Sequence, residues 1–197
     1  TIELSGTATL PTYTVTFNAN GHGTAPAAQT VSQRSKATQP AAPTATGYTF
    51  GGWYREAGCT NAFDFNTAIN ADITLYAKWT PNTYTVTLDR QYGEGGDGSV
   101  TATFGSPMPK INVPTRAGYT FGGYWTEAEG KGIQYYEADG TSAKEWDKTT
   151  DITLHAQWTP ATYTIQLDNQ GGSGSESVVA TYNSPLPDVE IPTKTGY

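Results

Sequence analysis

The amino-acid sequence predicts a mainly β fold on three grounds: its composition, the alternation of apolar residues with threonine, and an internal repeat. Of the 197 residues, 34 are Thr, 22 are Gly and 12 are Pro. Thr favours strands, whereas Gly and Pro interrupt helices and mark turns. Only 15% of the residues are charged, but 13 Tyr, 6 Phe and 5 Trp supply large apolar side chains. We therefore expect a folded β protein with little or no helix, α+β at most.

Three sequence blocks recur along the chain and define the repeat. Y-T-V-T-F at residues 13–17 returns as Y-T-V-T-L at 84–88 and as Y-T-I-Q-L at 163–167. G-Y-T-F-G-G-W at 47–53 returns as G-Y-T-F-G-G-Y at 118–124. D-I-T-L-Y-A-K-W-T-P at 72–81 returns as D-I-T-L-H-A-Q-W-T-P at 151–160. Two complete copies and the start of a third are therefore present.

Each copy opens with two strands. Residues 13–17 alternate apolar side chains with Thr, the period-2 pattern of a strand that has one buried and one exposed face. The second strand follows a Gly-rich turn, at residues 100–104 and 178–182, and has a weaker version at 29–33. We expect these two strands to form the first part of each unit.

Prolines and a closing strand complete the unit. Pro107, Pro109 and Pro114 favour an extended link to a third strand, which ends in a turn at paired glycines. The closing strand is predicted at residues 73–79, and residues 80–83 then link one copy to the next. So short a link predicts an elongated array of neighbouring units.

The spacing of the blocks sets the expected domain boundaries. Units are predicted at 13–83 and 84–162, with a truncated third unit at 163–197. Residues 1–12 are interpreted as the remnant of a preceding unit, because Ile2 and Leu4 lie 71 residues before Ile73 and Leu75. The closing strand could equally be counted as the start of the next unit. The repeat step grows from 71 to 79 residues inside the second copy, which predicts an inserted surface loop at about 124–150.

Recurrent aromatic residues are the expected core. A unit of about seventy residues buries only about 60% of its unfolded surface, so it depends on large apolar side chains. The expected core residues are Tyr48, Phe50, Trp53 and Trp79 in the first copy and Tyr119, Phe121, Tyr124 and Trp158 in the second.

The three blocks together resemble the Listeria-Bacteroides repeat, also called the internalin B-repeat. The resemblance covers residues 13 to about 162 as two copies. It implies a β-grasp-like unit in tandem arrays on secreted or surface-anchored bacterial proteins, with stalk or adhesion roles and no catalytic residues. The second copy departs from the pattern through its longer loop and through Tyr124-Trp125 in place of Trp53. The segment 40–47 also leaves little room for the helix of a ubiquitin-like β-grasp.

Charge and cysteine content narrow the classes of function. The net charge is −7 and the 11 basic residues are scattered, so we expect no nucleic-acid partner. No apolar run approaches the roughly 20 residues of a membrane span, and residues 1–10 lack the features of a signal peptide. Cys59 is the only cysteine, which excludes an intrachain disulfide.

Candidate catalytic and metal-binding side chains are few. His22 lies in a Gly-His-Gly turn, and His155 takes the strand position that Tyr76 occupies in the first copy. Acidic residues in the loop after residue 88 could supply oxygens to a calcium ion, although a solvated turn is the favoured interpretation. The acidic residues considered are Asp89, Glu94 and Asp97 in that loop, and Glu127, Glu129, Glu137 and Asp139 in the insertion. We expect no catalytic, cofactor or metal site.

Aromatic residues near the insertion provide one candidate binding site. Trp125, Tyr135 and Tyr136 would form a ligand platform if they were exposed together. Trp146 matches Phe65 of the first copy and is favoured as core. If the platform exists, removal of residues 130–141 should abolish binding and preserve folding.

Two functions follow from these sequence features. The leading hypothesis is a non-catalytic structural or adhesive module, a stalk or spacer, of a bacterial cell-surface or secreted protein. Its partners would be neighbouring repeats, host or extracellular-matrix proteins, or glycans. The alternative is a carbohydrate-binding module that uses the aromatic residues of the second copy's loop.

Overall fold

A computed structural model of the protein describes residues 9–196 as two compact units, residues 9–82 and 83–196. The mainly β fold is confirmed, because the helical content of the described part is one 3₁₀ turn. Ile2 and Leu4, the basis for a preceding remnant, lie outside the described residues. The start of the third copy belongs to the second unit by its contacts.

The first unit is a four-stranded sheet. Its strands are Thr12–Asn18 (β1), Gln29–Ser32 (β2), Tyr48–Tyr54 (β3) and Ile73–Pro81 (β4). Their order in the sheet is β2-β1-β4-β3. β1 pairs antiparallel with β2, and β3 pairs antiparallel with β4, whereas β1 and β4 run parallel from Val15↔Ile73 to Asn18↔Tyr76. The first and last strands of the repeat are therefore neighbours at the centre of the sheet.

The second unit repeats this arrangement and adds one strand. Its strands are Thr83–Asp89 (β5), Ser99–Thr103 (β6), Tyr119–Glu127 (β7), Lys131–Tyr136 (β8) and Ile152–Pro160 (β9). The order is β6-β5-β9-β7-β8, with β5 and β9 parallel. The third copy contributes an antiparallel pair, Thr162–Gln166 (β10) and Ser177–Thr181 (β11). β4 and β5 are separated by Asn82 alone.

The alternation in the sequence sets the two faces of the opening strands. In β1, Val15 and Phe17 are buried while the intervening threonines are exposed. In β5, Val86 and Leu88 are buried in the same way. Because side chains alternate across a strand, each opening strand gives its apolar side chains to one core.

Each unit has its own core. In the first unit, Trp53 is 3% exposed and packs edge-on against Phe17, with ring centroids 4.8 Å apart. In the second, Phe121 and Tyr124 are buried, with centroids 5.2 Å apart. The other expected core aromatic residues, Tyr48, Phe50, Trp79, Tyr119 and Trp158, are only partly buried.

The predicted turn at the paired glycines is wrong. Gly51 and Gly52 lie inside β3, where the register with β4 shifts between Phe50 and Trp53. This shift is a β-bulge, which needs an unusual backbone conformation at one residue. Gly52 supplies that conformation with φ +107°, and Gly123 does so in β7 with φ +102°. The bulge continues the strand instead of ending it.

The two bulge glycines differ in their surroundings, which gives a matched pair of substitutions. A Cβ on Gly123 would lie 2.1 Å from the carbonyl oxygen of Tyr136, whereas a Cβ on Gly52 would lie 3.8 Å from the ring of Tyr54. We expect Gly52→Ala to destabilise the first unit by about 1–2 kcal/mol through backbone strain alone. Gly123→Ala should destabilise the second unit by more than about 3 kcal/mol, because β8 must also move.

Amide hydrogen exchange measured separately over the two units would test this pair, because each substitution should lower protection in its own unit. Equal losses from the two alanines would contradict the role of the β8 contact.

Candidate functional site: the hairpin arm of the second repeat

The main difference between the two complete copies is a hairpin in the second one. β7 continues to Glu127, a 3₁₀ turn spans Ala128–Gly130, and β8 returns along β7. We call residues 124–136 the hairpin arm. A surface loop was expected at about 124–150, but the first half of that range is an ordered strand pair. The extra residues allow β7 to extend and to pair with a new edge strand.

The tip of the hairpin arm is polar and exposed. Lys131 Nζ lies 2.8 Å from Glu129 Oε2, and both side chains are mostly exposed. This pairing lowers the pKa of Glu129 and raises the pKa of Lys131, in each case first through their hydrogen bond. Exposed ion pairs of this kind contribute little to stability. The tip is therefore a solvated segment, as expected for the surface part of the insertion.

The inner end of the arm is part of the core. Tyr135 and Tyr136 both have 0% exposure, so they cannot stand beside Trp125 on an exposed platform. The alternation in β8 stops at this point, because two consecutive tyrosines are buried where the strand meets the loop that follows. Trp125 is half-buried, and its indole N–H donates to the carbonyl of Gly122 over 3.4 Å.

Polar contacts fix the two buried tyrosines. The Tyr136 hydroxyl donates to the carbonyl of Pro109 over 2.9 Å. The Tyr135 hydroxyl donates to the Asp147 carboxylate, which also pairs with Lys144. Burial is the main cause that raises the pKa of both phenols, and it raises the pKa of Tyr124 to about 12. These phenols stay neutral at physiological pH and act as structural groups.

Trp146 belongs to the same cluster. It is 1% exposed, and its ring centroid lies 5.2 Å from that of Tyr135. The expectation that Trp146 is a core residue is confirmed. Tyr135 and Tyr136 of the hairpin arm and Trp146 of the loop that follows thus close the second core with three large rings.

Two contacts recur in both complete copies and hold the closing strand. The Asp72 carboxylate accepts from the backbone N–H of Thr14 over 2.7 Å, and Asp151 accepts from that of Thr85 over 2.8 Å. Both aspartates therefore cap backbone groups of the opening strand.

The second recurring contact comes from the closing-strand tryptophans. Trp79 donates its indole N–H to the carbonyl of Ala19 over 2.8 Å, and Trp158 donates to that of Arg90 over 2.9 Å. Each bond ties the closing strand to the turn after the opening strand.

His155 and Asp89 meet between neighbouring parallel strands. His155 Nδ1 lies 3.1 Å from Asp89 Oδ2, and Gln91 bonds to the same carboxylate. Hydrogen bonds from Gln91, first among them its backbone N–H, lower the pKa of Asp89 against the opposing effect of burial. The Asp97 carboxylate accepts a hydrogen bond from the backbone N–H of Asn112 over 2.8 Å. Asp89 and Asp97 therefore bind parts of the chain itself.

His22 and Cys59 are the remaining candidate residues in the first unit. His22 stacks on Tyr48 with ring centroids 4.0 Å apart, and Cys59 is a half-buried free thiol whose sulfur lies 3.5 Å from Asn20 Nδ2. Across residues 9–196, no three His, Cys, Asp or Glu side chains come close enough to hold a metal ion together.

Sequence reasoning did not single out Tyr92, the most exposed large apolar side chain described. It is 88% exposed and has φ +72°. Left-handed backbone costs a residue with a side chain about 1–2 kcal/mol. The Arg116 guanidinium lies 5.5 Å from the ring, a cation–π contact worth about 0.5–1 kcal/mol at an exposed site. The sequence did contain one indication that Tyr92 is unusual, because the matching position of the first copy is Gly21.

The fold and these contacts define a class of protein: a tandem array of small β units, each closed by its last strand. Comparison with known sequences then gives the family. The Listeria-Bacteroides repeat domain matches residues 13–78 and 84–157. The chain belongs to the Listeria-Bacteroides repeat family.

Three long bacterial relatives share this region. Internalin H of Listeria monocytogenes is 37% identical over 81% of this chain and 28% of its own length. A "Putative Gly-rich membrane protein" of Evansella cellulosilytica is 32% identical over 94% of this chain and 20% of its own length. A "Putative membrane protein" of the same organism is 36% identical over 74% of this chain and 22% of its own length.

The chain thus spans between a fifth and somewhat over a quarter of the relatives it matches. In the described part of the protein, no helix has the length and apolar character needed to cross a bilayer.

Removal of residues 130–141 tests the structural role of the hairpin arm. This deletion takes out Tyr135 and Tyr136, and losing one large buried ring typically costs about 3–5 kcal/mol. We expect the second unit to unfold, because that loss approaches the whole stability of a small domain. Circular dichroism and amide exchange would show this. Replacing only Ala128–Gly130 by Asn-Gly is the control and should preserve folding; a folded protein without residues 130–141 would contradict the assignment.

Asp147 should make the second unit sensitive to acid. Burial raises the pKa of its carboxyl, but the hydrogen bonds from Lys144 and Tyr135 outweigh this and lower the pKa. The unfolded chain thus binds the proton more tightly, so the contribution of Asp147 is complete above about pH 4 and disappears as pH falls through the folded-state pKa.

The Tm of Asp147→Asn should accordingly lie below that of the unaltered protein at neutral pH and approach it in acid. Glu145→Gln, at an exposed carboxyl on the same loop, is the matched control and should leave the pH dependence unchanged. A Tm difference that stays constant down to pH 2 would argue against this role.

Proposed function

We propose that this chain is a non-catalytic spacer module of a bacterial cell-surface or secreted protein, in which successive repeats carry other parts of the protein away from their attachment point. The observation that carries the proposal is that both complete copies share the hydrogen bonds that close the sheet. Both preserve the bonds that close the sheet, from Asp72 and Trp79 in the first and from Asp151 and Trp158 in the second. Other positions differ between the copies, as at Tyr76 and His155. Preserved closure of each unit is the pattern expected of a structural repeat.

The use of the polar side chains supports a non-catalytic role. Asp89 and His155 contact each other across two parallel strands, and Asp147 holds the Tyr135 hydroxyl and Lys144. Each of these groups is engaged in joining one segment of the chain to another. Catalysis instead needs titratable groups that converge on a pocket where a substrate can reach them.

Location outside the cell is supported by the family and by the relatives. The family resemblance implies secreted or surface-anchored bacterial proteins, and two relatives carry names that describe membrane proteins. Recognition of host or matrix proteins or of glycans through the hairpin arm stays a prediction that rests on Trp125, because Tyr135 and Tyr136 belong to the core.

A display experiment tests the spacer function. The chain is placed between a cell-surface anchor and a terminal epitope, and antibody access to the epitope is measured by flow cytometry. We expect deletion of residues 13–83 to reduce access, because one folded unit is lost. Restoring the length with a second copy of residues 84–162 in that place should restore access, because the role depends on repeat number and not on the surface of one copy.

Epitope access that is independent of the number of repeats would contradict the spacer function. Binding of the displaying cells to immobilised matrix proteins, measured in parallel, separates adhesion from spacing.

A further inference from the structure

The loop that follows β5 places Tyr92 at a position of positive φ where the other two copies have glycine. The matching residues are Gly21 in the first copy, with φ +91°, and Gly171 in the third, with φ +76°. Each is preceded by a residue that also has positive φ, as Gln91 does before Tyr92. The same turn therefore forms with glycine in two copies, and only the second copy carries an aromatic ring there. Backbone strain that is not offset by the cation–π contact of the ring with Arg116 points to a role for the exposed side chain.

The Tyr92 ring borders a cleft of about 520 Å³, lined also by Glu94, Thr115, Arg116 and Ala117. We call it the Tyr92 cleft. Backbone bonds in both directions between Glu94 and Thr115, of 2.8 and 2.9 Å, fix its floor. Its volume lies within the range of small-molecule sites, about 300–1,000 Å³. The cleft is thus large enough for one or two sugar rings.

Arg116 is held in place beside the Tyr92 ring. Its guanidinium lies 3.9 Å from the centroid of Tyr119 and donates to the Gln91 carbonyl over 3.5 Å. Tyr119 in turn contacts Tyr182, with centroids 5.5 Å apart. A guanidinium has five N–H donors, so this position leaves donors for a ligand. Ordering the side chain in advance reduces the entropy lost on binding.

The side chains of the cleft match the chemistry of an uncharged sugar. A pyranose ring presents a face of C–H groups that packs on an aromatic ring, and hydroxyls at its edge that both donate and accept hydrogen bonds. Tyr92 offers the ring, Arg116 the donors and the Glu94 carboxylate the acceptor. Glu129, which lines an adjoining hollow with Tyr92 and Arg116, is paired with Lys131, and within the cleft the Glu94 carboxylate balances the charge of the Arg116 guanidinium. This balance, with the net charge of −7, disfavours an anionic ligand.

We propose that the Tyr92 cleft binds an uncharged pyranose residue of a glycan, stacked on Tyr92 and hydrogen-bonded by Arg116 and Glu94. The site belongs to the second copy alone. The first copy has Gly21, Gly23 and Ala45 at the positions of Tyr92, Glu94 and Arg116, and these residues cannot form the same walls. The proposal adds a binding activity to one repeat and is independent of whether the array acts as a spacer.

The test uses the whole 197-residue chain on an array of immobilised neutral glycans, with glucose-, galactose- and N-acetylhexosamine-terminated members. The strongest glycan is then titrated in solution. The central variant is Tyr92→Gly, which installs the residue of the other two copies. We expect it to bind at least about tenfold more weakly. Its Tm should change by no more than about 3 °C, because relief of backbone strain offsets the greater freedom of glycine in the unfolded chain.

Three further variants define the outcome. Tyr92→Phe keeps the ring and should bind within about threefold of the unaltered chain, whereas Glu94→Gln should bind more weakly. Tyr163→Ala removes an exposed tyrosine on β10, 53% exposed, and should have no effect on binding. The proposal is overturned if no neutral glycan is retained, if Tyr92→Gly binds equally well, or if a matrix protein or peptide is retained in place of glycans. A fall in Tm of more than about 5 °C in Tyr92→Gly, with binding intact, would instead make the ring structural.

Discussion

The parallel pairing of the opening and closing strands is the interaction on which each repeat depends. β1 pairs with β4, and β5 pairs with β9, in the same register. Parallel neighbours need a long connection between them, and here that connection supplies the remaining strands and the loops. The aspartate and tryptophan bonds to the opening strand and the turn after it reinforce this pairing. The sheet of each repeat is therefore complete only when the closing strand, β4 or β9, has paired with the opening strand.

The second copy shows how much can be added around this closure. The hairpin arm extends the sheet by one strand at the β7 edge, where β3 of the first unit has no such partner among the described strands. Its two buried tyrosines add large rings to the second core, whereas the buried aromatic residues of the first core are Phe17, Trp53 and Phe63. On the surface, the turn after β5 differs from its counterparts by one exposed ring. The second copy thus differs from the first in both its core and its surface, while the strand pairing that closes the sheet is the same.

The opening and closing strands were predictable because their residues alternate with period 2, as in Val15 and Phe17 against the threonines. Their parallel pairing could not be predicted from this alternation, because the alternation shows which face of a strand is buried but not which strand lies beside it. Gly51 and Gly52 were misplaced in a turn, because a glycine pair marks a bulge and a turn equally well. Tyr135 and Tyr136 were misjudged because consecutive tyrosines resemble an exposed loop, and only the path of β8 places both in the core. The unusual position of Tyr92 could be recognised from the sequence only by comparison with Gly21 and Gly171 in the other copies.

The parallel arrangement of the first and last strands of a repeat also decides how it responds to tension. A force applied through the ends of the first unit enters at the start of β1 and leaves at the end of β4. Because these strands are parallel neighbours, the force slides one along the other and loads several backbone bonds at once, including the bond from Thr14 to Asp72. Antiparallel neighbours pulled from adjacent ends would instead separate one bond at a time. From the topology that closes the repeat we therefore also expect resistance to stretching.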